Sequence, residues 1–123
     1  MPDNAKYIQQ LLSGWEQTFH KGQLTFWILL SLSQEPKSLE EITLFIKSNT
    51  GDVIFFDEQS IYRALRRYLD TDLISFELRN SLRGPQRKYY QLTPIGIELF
   101  NLFAKRNIKI FYTLYQSKIL KLS

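Results

Sequence analysis

The sequence contains no cysteine, which excludes disulfides, thiolate metal sites and cysteine nucleophiles. It has a single histidine, His20, so a His-based metal site or a Ser-His-Asp triad would have to form around that one residue. His20 stands beside Lys21 and reads as a helix-end residue. Long apolar runs are also missing. The longest, Phe26-Trp27-Ile28-Leu29-Leu30, is far too short to cross a bilayer. Met1-Pro2-Asp3-Asn4 is polar and lacks the basic opening of a secretory signal. The absence of cysteine fits a reducing compartment, and the cytoplasm is the expected location. No internal repeat, low-complexity tract or Pro/Gly/Ser-rich linker occurs. Asp70 and Asp72 belong to a helix-ending turn, where turn chemistry explains them better than a catalytic carboxylate pair does. With no nucleophile–base pair available, the chain is expected to be a non-enzyme without metal or cofactor.

What is present fits one domain with a single core. The chain has 123 residues, of which 44% are hydrophobic and 23% charged, ordinary values for a globular protein. The net charge of +4 suits a polyanionic partner, and its placement says more than its size. Six of the seven arginines (Arg63, Arg66, Arg67, Arg79, Arg83 and Arg87) lie within 25 consecutive residues. After Glu98 there is no acid at all, only Lys105, Arg106, Lys109, Lys118 and Lys121.

Periodicity predicts the elements. Tyr7, Ile8, Leu11, Leu12, Trp15 and Phe19 recur at spacings of three and four, an amphipathic helix over 5–19 weakened slightly by Gly14. Residues 23–33 are apolar nearly all round, as a central buried helix should be, and Glu35-Pro36 stops it. Ser38, with Glu41 three residues later, forms a capping box for a helix ending near Asn49-Thr50-Gly51. Val53 to Phe56 reads as a short strand. Asp57 caps a helix over 58–69. Residues 74–79 and 88–92 alternate in polarity around the turn-rich segment 80–86, the pattern of a hairpin with a long tip. Thr93-Pro94 opens a last helix running to about Leu122. The expected fold is mainly α (α+β), a winged helix-turn-helix. It is expected to divide into an N-terminal helical extension (1–20), a winged-helix domain (21–93) and a long C-terminal helix (94–123).

At 100° per residue the 58–69 helix separates into two faces. Ile61, Leu65, Tyr68 and Leu69 lie on one side, while Gln59, Ser60, Arg63, Arg66 and Arg67 lie on the other. Arginine, glutamine and serine are the side chains that read base edges and hold phosphates in a major groove. A solvated face accounts for such a row equally well when it stands alone. The hairpin tip favours nucleic acid, because Arg83, Gly84, Gln86, Arg87 and Lys88 place cations on a projecting loop. Such a loop can reach an adjacent backbone or minor groove while the helix occupies the major groove.

These residues resemble a known family. Ser60-Ile61-Tyr62-Arg63-Ala64-Leu65, Leu73-Ile74 and above all the run from Gly84-Pro85-Gln86-Arg87-Lys88-Tyr89-Tyr90 through Gln91-Leu92-Thr93-Pro94-Ile95-Gly96 look like the PadR family of transcriptional regulators. Lys21-Gly22-Gln23-Leu24 and Ile28-Leu29-Leu30 resemble its opening helix. The sequence departs from the pattern at Lys37-Ser38-Leu39, where the family usually has His-Gly-Tyr. It departs again at Arg63, which replaces a proline, and at Asp72, which replaces a glycine. Aspartate tolerates a left-handed turn better than most residues. The resemblance implies a homodimeric DNA-binding regulator, commonly a repressor, often responsive to a small aromatic molecule. It places Tyr62 and Arg63 in the recognition helix and Arg83, Arg87 and Lys88 in the wing.

The last segment argues for a dimer on its own. Twenty-nine residues of helix would span about 43 Å, against roughly 35 Å for the diameter of a domain this size. Apolar residues nonetheless cover most of its girth, among them Leu99, Phe103, Ile110, Phe111 and Leu114, so a second surface is needed. A partner chain is the economical one, with the 5–19 helix packed against it. A membrane-surface helix is the competing explanation, supported by the unopposed basic residues but not by their dispersion, so no membrane partner is expected. Eighteen aromatics raise the idea of an effector pocket walled by Trp15 and Trp27, although core packing explains most such residues. From another class, the alternative function is a winged-helix module that binds protein and has no DNA activity.

Overall fold

Three side-chain oxygens set three of the helix starts. Ser38 Oγ accepts the Glu41 backbone N–H at 3.3 Å while the Glu41 carboxylate accepts the Ser38 N–H at 3.1 Å, which closes the capping box. Asp57 Oδ1 accepts the Ser60 N–H at 2.7 Å. Thr93 Oγ1 accepts the Gly96 N–H at 3.1 Å, with Pro94 at the first helical position. The computed structural model describes residues 4–123. In chain order these form α1 (Asn4–Lys21), α2 (Leu24–Gln34), α3 (Leu39–Asn49), α4 (Glu58–Asp70), β1 (Ile74–Arg79), β2 (Arg87–Leu92), α5 (Pro94–Asn107) and α6 (Lys109–Gln116).

α2 is the hub. Its Ile28, Leu29 and Leu32 meet Ile42 and Ile46 of α3, Ile61 and Leu65 of α4, Ile74 and Tyr90 of the hairpin and Phe100 of α5 in one buried cluster. Each such aliphatic side chain contributes about 1.5–3 kcal/mol. α1 adds nothing to this core, and its Tyr7, Ile8, Trp15 and Phe19 are exposed.

β1 and β2 pair antiparallel, with Ile74 opposite Leu92, Phe76 opposite Tyr90 and Leu78 opposite Lys88. Exposure rises along this face from 2% at Ile74 through 41% at Phe76 to 55% at Leu78, so the hairpin leaves the core and projects as a wing. Lys37 pairs with β2 from the other side: its N–H donates to Tyr90 O at 3.0 Å, and the Tyr90 N–H donates to Lys37 O at 2.8 Å. The strand expected at Val53–Phe56 is absent. Ile54 alone is buried there. Its N–H and carbonyl are served by Thr50 Oγ1 at 3.3 and 3.4 Å, so that segment anchors itself without a ladder while Lys37 takes the edge.

The Lys37 side chain is itself buried. Its Nζ donates to Ser31 O at 2.5 Å, one of the last carbonyls of α2 that the helix cannot satisfy, and it stands 4.9 Å from the centre of the Phe45 ring. Burial pushes its pKa down, with Glu35 and Glu41 pulling the other way.

The single helix expected from 94 to about 122 is two helices. The ladder breaks at Ile108 (φ −101°, ψ −45°), where the Asn107 side chain donates to Phe103 O at 3.1 Å and the Phe111 N–H reaches only as far back as Ile108 O. α6 then stops at Gln116. Lys118 takes φ +65°, with the Lys118 N–H on Tyr115 O and the Ile119 N–H on Leu114 O. This is a Schellman stop with lysine where glycine is usual. At 1.5 Å per residue α5 and α6 span about 21 and 12 Å, so length no longer argues for a second chain. Exposure does, since Leu99, Phe103, Ile110 and Phe111 are each 44–53% exposed and Leu114 is half-buried.

Candidate nucleic-acid interface

α4 is held by its apolar side and open on the other. Ile61, Ala64, Leu65 and Tyr68 are buried, and the Tyr68 hydroxyl shares a 2.5 Å hydrogen bond with Thr25 Oγ1 of α2. Gln59, Tyr62, Arg63, Arg66 and Arg67 are exposed, and Ser60 is half-buried at the edge. Arg63, Arg66 and Arg67 make no ion pair among the described residues. Asp57 caps this helix as a carboxylate. The Ser60 backbone N–H, the Ser60 hydroxyl and then the Arg63 charge hold its pKa below the usual carboxylate value.

The wing tip is knitted by its own polar groups. Ser81 Oγ donates to the carbonyls of Gly84 and Pro85 at 3.2 and 3.1 Å, and Gln86 Nε2 donates to Asn80 Oδ1 at 2.9 Å. Gly84 sits at φ +113°, a conformation that only glycine adopts without strain. The cations of the wing differ in how far they are engaged. Arg79 is 2.7 Å from Glu77 and stacks over Tyr89 at 4.3 Å. Lys88 lies over Phe76 at 4.7 Å, a contact that orients the ammonium without neutralising it. Arg87 faces Glu40 of α3 at 4.0 Å. Arg83 has no ion pair among the described residues.

The two basic elements meet at the wing root. Arg87 of β2 faces Glu40 in the first turn of α3, and burial pushes the Tyr90 phenol up, with Tyr62 of α4 and Glu40 raising it further. Sequence reasoning missed Glu40 and Lys37. Only the fold brings Glu40 to Arg87, and nothing in the spacing of Lys37 marks it as an edge residue.

Other residues singled out earlier are placed elsewhere. His20 is 3.9 Å from Glu16 one turn earlier in α1, and no metal-binding cluster exists among the described residues. Asp70 ends α4 and Asp72 takes φ +61° in the following turn, the conformation expected where the family pattern has glycine. Trp15 and Trp27 do not wall a common pocket: Trp15 is 75% exposed, whereas the Trp27 indole N–H donates to Gln23 Oε1 at 3.0 Å. A small apolar cavity of about 180 Å³ lies instead between α2 and α5, bordered by Thr25, Phe26, Leu29, Leu99 and Phe103. Among the described residues no helix is long and apolar enough to cross a membrane.

Comparison with known proteins gives a consistent result. Residues 28–101 match the profile of the transcriptional regulator PadR-like family. A PadR-like transcriptional regulator from Bacillus cereus is 31% identical over 83% of this chain and 96% of its own, with a TM-score of 0.67. A PadR-like transcription factor from Bacteroides fragilis is 28% identical over 84% of this chain and 97% of its own, with a TM-score of 0.66. PadR from Bacillus subtilis, solved in complex with operator DNA, is 25% identical over 65% of this chain and 44% of its own, with a TM-score of 0.60. No curated protein matches.

Proposed function

The chain belongs to the PadR-like family of transcriptional regulators, a family of transcription factors rather than enzymes, and from that premise we propose that it is a homodimeric, sequence-specific DNA-binding repressor. One observation carries the reading: Arg63, Arg66 and Arg67 stand exposed on α4 beside a wing that carries Arg83, and none of the four makes an ion pair among the described residues. α4 enters the major groove, where Gln59, Ser60, Tyr62 and Arg63 reach base edges and Arg66 and Arg67 reach phosphates. Arg83, Arg87 and Lys88 lie along the adjacent backbone or minor groove. The Bacillus subtilis relative was solved with operator DNA, which supports DNA as the partner.

The dimer is supported by unpartnered apolar surface on residues 94–123, at Leu99, Phe103, Ile110 and Phe111, and on α1, at Tyr7, Ile8 and Trp15. A two-fold dimer presents its α4 helices to half-sites about 34–36 Å apart and therefore reads a palindrome. A small aromatic effector fits the cavity between α2 and α5, since about 150 Å³ accommodates a benzene-sized molecule. Such a regulator works in the cytoplasm.

The test is a salt titration of Arg63→Ala and Arg83→Ala against a duplex selected from a random pool and against its scrambled version. Arg63→Ala should lose about 1–3 kcal/mol per base contact on the selected duplex only. Arg83→Ala should weaken both duplexes alike and reduce the salt slope by about one unit per contact. A wild-type chain that shifts no duplex at about 50 mM salt and micromolar concentration is instead a protein-binding winged helix.

A further inference from the structure

Glu40 lies in the first turn of α3 but does not serve the cap, which uses Ser38 and Glu41. Its carboxylate is 4.0 Å from Arg87 Nη1, and both side chains are more than half exposed. An acid is the wrong sign for a surface meant to meet phosphates. Of the other acids near this surface, Glu77 pairs with Arg79 within its own strand, Asp57 caps α4 and Glu41 closes the α3 cap, whereas Glu40 joins two elements far apart in the chain.

We propose that Glu40 is a positioning and charge-balancing residue for the wing, one that holds Arg87 toward α3 and weakens the pull of that one wing cation per protomer on DNA, a role that presupposes the DNA-binding reading above. An arginine that must leave a protein carboxylate to reach a phosphate gains less from that contact than a free one does. Its contribution to affinity, which carries no sequence information, is therefore suppressed, and base contacts from α4 account for a larger share of binding. Freeing Arg87 restores that contribution. One added phosphate contact steepens the salt dependence by about 0.9, which amounts to about a 3.5-fold change in affinity per protomer between 200 and 50 mM salt.

The experiment is a fluorescence-anisotropy salt titration of the full chain against selected and scrambled duplexes. The variants are Glu40→Gln, Glu40→Ala, Arg87→Ala and the Glu40→Gln/Arg87→Ala double, with thermal unfolding run on each to establish folding. Both Glu40 variants should bind the two duplexes more tightly by the same factor and steepen the slope by about 0.9 per protomer. Arg87→Ala should cost more once Glu40 is neutral than while Glu40 is present, because it then also removes the whole gain of the Glu40 variants. A wild-type slope in both Glu40 variants, or an equal cost of Arg87→Ala with and without Glu40, overturns the assignment and leaves DNA binding intact. A wild-type chain that binds neither duplex overturns the DNA reading and this role together.

Discussion

Gly96→Ala is the substitution for which helix propensity and packing give opposite answers. In an open helix interior the change gains about 1 kcal/mol. At Gly96, however, an added Cβ would lie 2.0 Å from Leu73 O, 3.1 Å from Leu73 C and 3.4 Å from Leu92 Cδ2. The closest atom is backbone, and it already accepts the Thr93 N–H at 3.1 Å, so it cannot rotate away as a side chain would. The start of α5 would have to lift by more than 1 Å from the turn that leads into β1. Overpacking of this kind costs about 1–3 kcal/mol, and loosening the Thr93 bond adds about 1 kcal/mol. With the propensity gain subtracted, the net expectation is a loss of about 1–3 kcal/mol, which at a mid-range denaturant slope of about 2 kcal/mol/M lowers the urea midpoint by about 1 M. Gly14→Ala is the matched control, because nothing lies within 4 Å of a Cβ there and no loss is expected. A Gly96→Ala midpoint at or above wild type would refute the packing argument.

Three further outcomes are expected. Phe111→Glu or Leu114→Glu places a charge in the proposed dimer interface and should yield monomers in sedimentation velocity; a wild-type chain that is monomeric at tens of micromolar removes the dimer. Ser38→Ala opens the capping box of α3 and should cost about 1 kcal/mol by urea denaturation, so an unchanged midpoint would show that the box contributes nothing. Lys37 has a pKa below 10.5 in the folded chain, so the unfolded chain binds the extra proton and wild-type stability should rise with pH from the lowered value up to 10.5. Lys37→Met should lack that rise, and parallel stability curves for the two proteins between pH 7 and 10.5 would contradict it. The raised Tyr90 pKa acts with the opposite sign only above pH 10 and is common to both.

Local chemistry was legible and non-local chemistry was not. Ser38, Asp57 and Thr93 announce their helices because a cap and its N–H lie within three residues. The two faces of α4 follow from the 100° repeat alone, and the wing follows from alternation around a turn-rich segment. Val53–Phe56 misled because β-branched composition does not say whether a neighbouring strand exists, and the edge went to Lys37, whose polarity gave no hint of burial. The break at Ile108 escaped for a related reason: hydrophobic content continues across it, while the interruption lies in backbone hydrogen bonding. The partnership of Glu40 with Arg87 depends on tertiary placement, so no local pattern contains it.

The Lys37–Tyr90 pairing has a mechanical consequence. The wing is a cantilever clamped at Tyr90, with three further residue pairs and then the tip beyond the clamp. At 3.4 Å per residue its free length is about 15 Å, so a root tilt of only ~10° swings Arg83 by about 3 Å. That displacement is one hydrogen-bond length, the difference between touching a phosphate and missing it. Small changes in stiffness at the clamp are thus magnified at the end of the arm, and a substitution at Lys37 or Tyr90 can silence Arg83 without altering any residue near it.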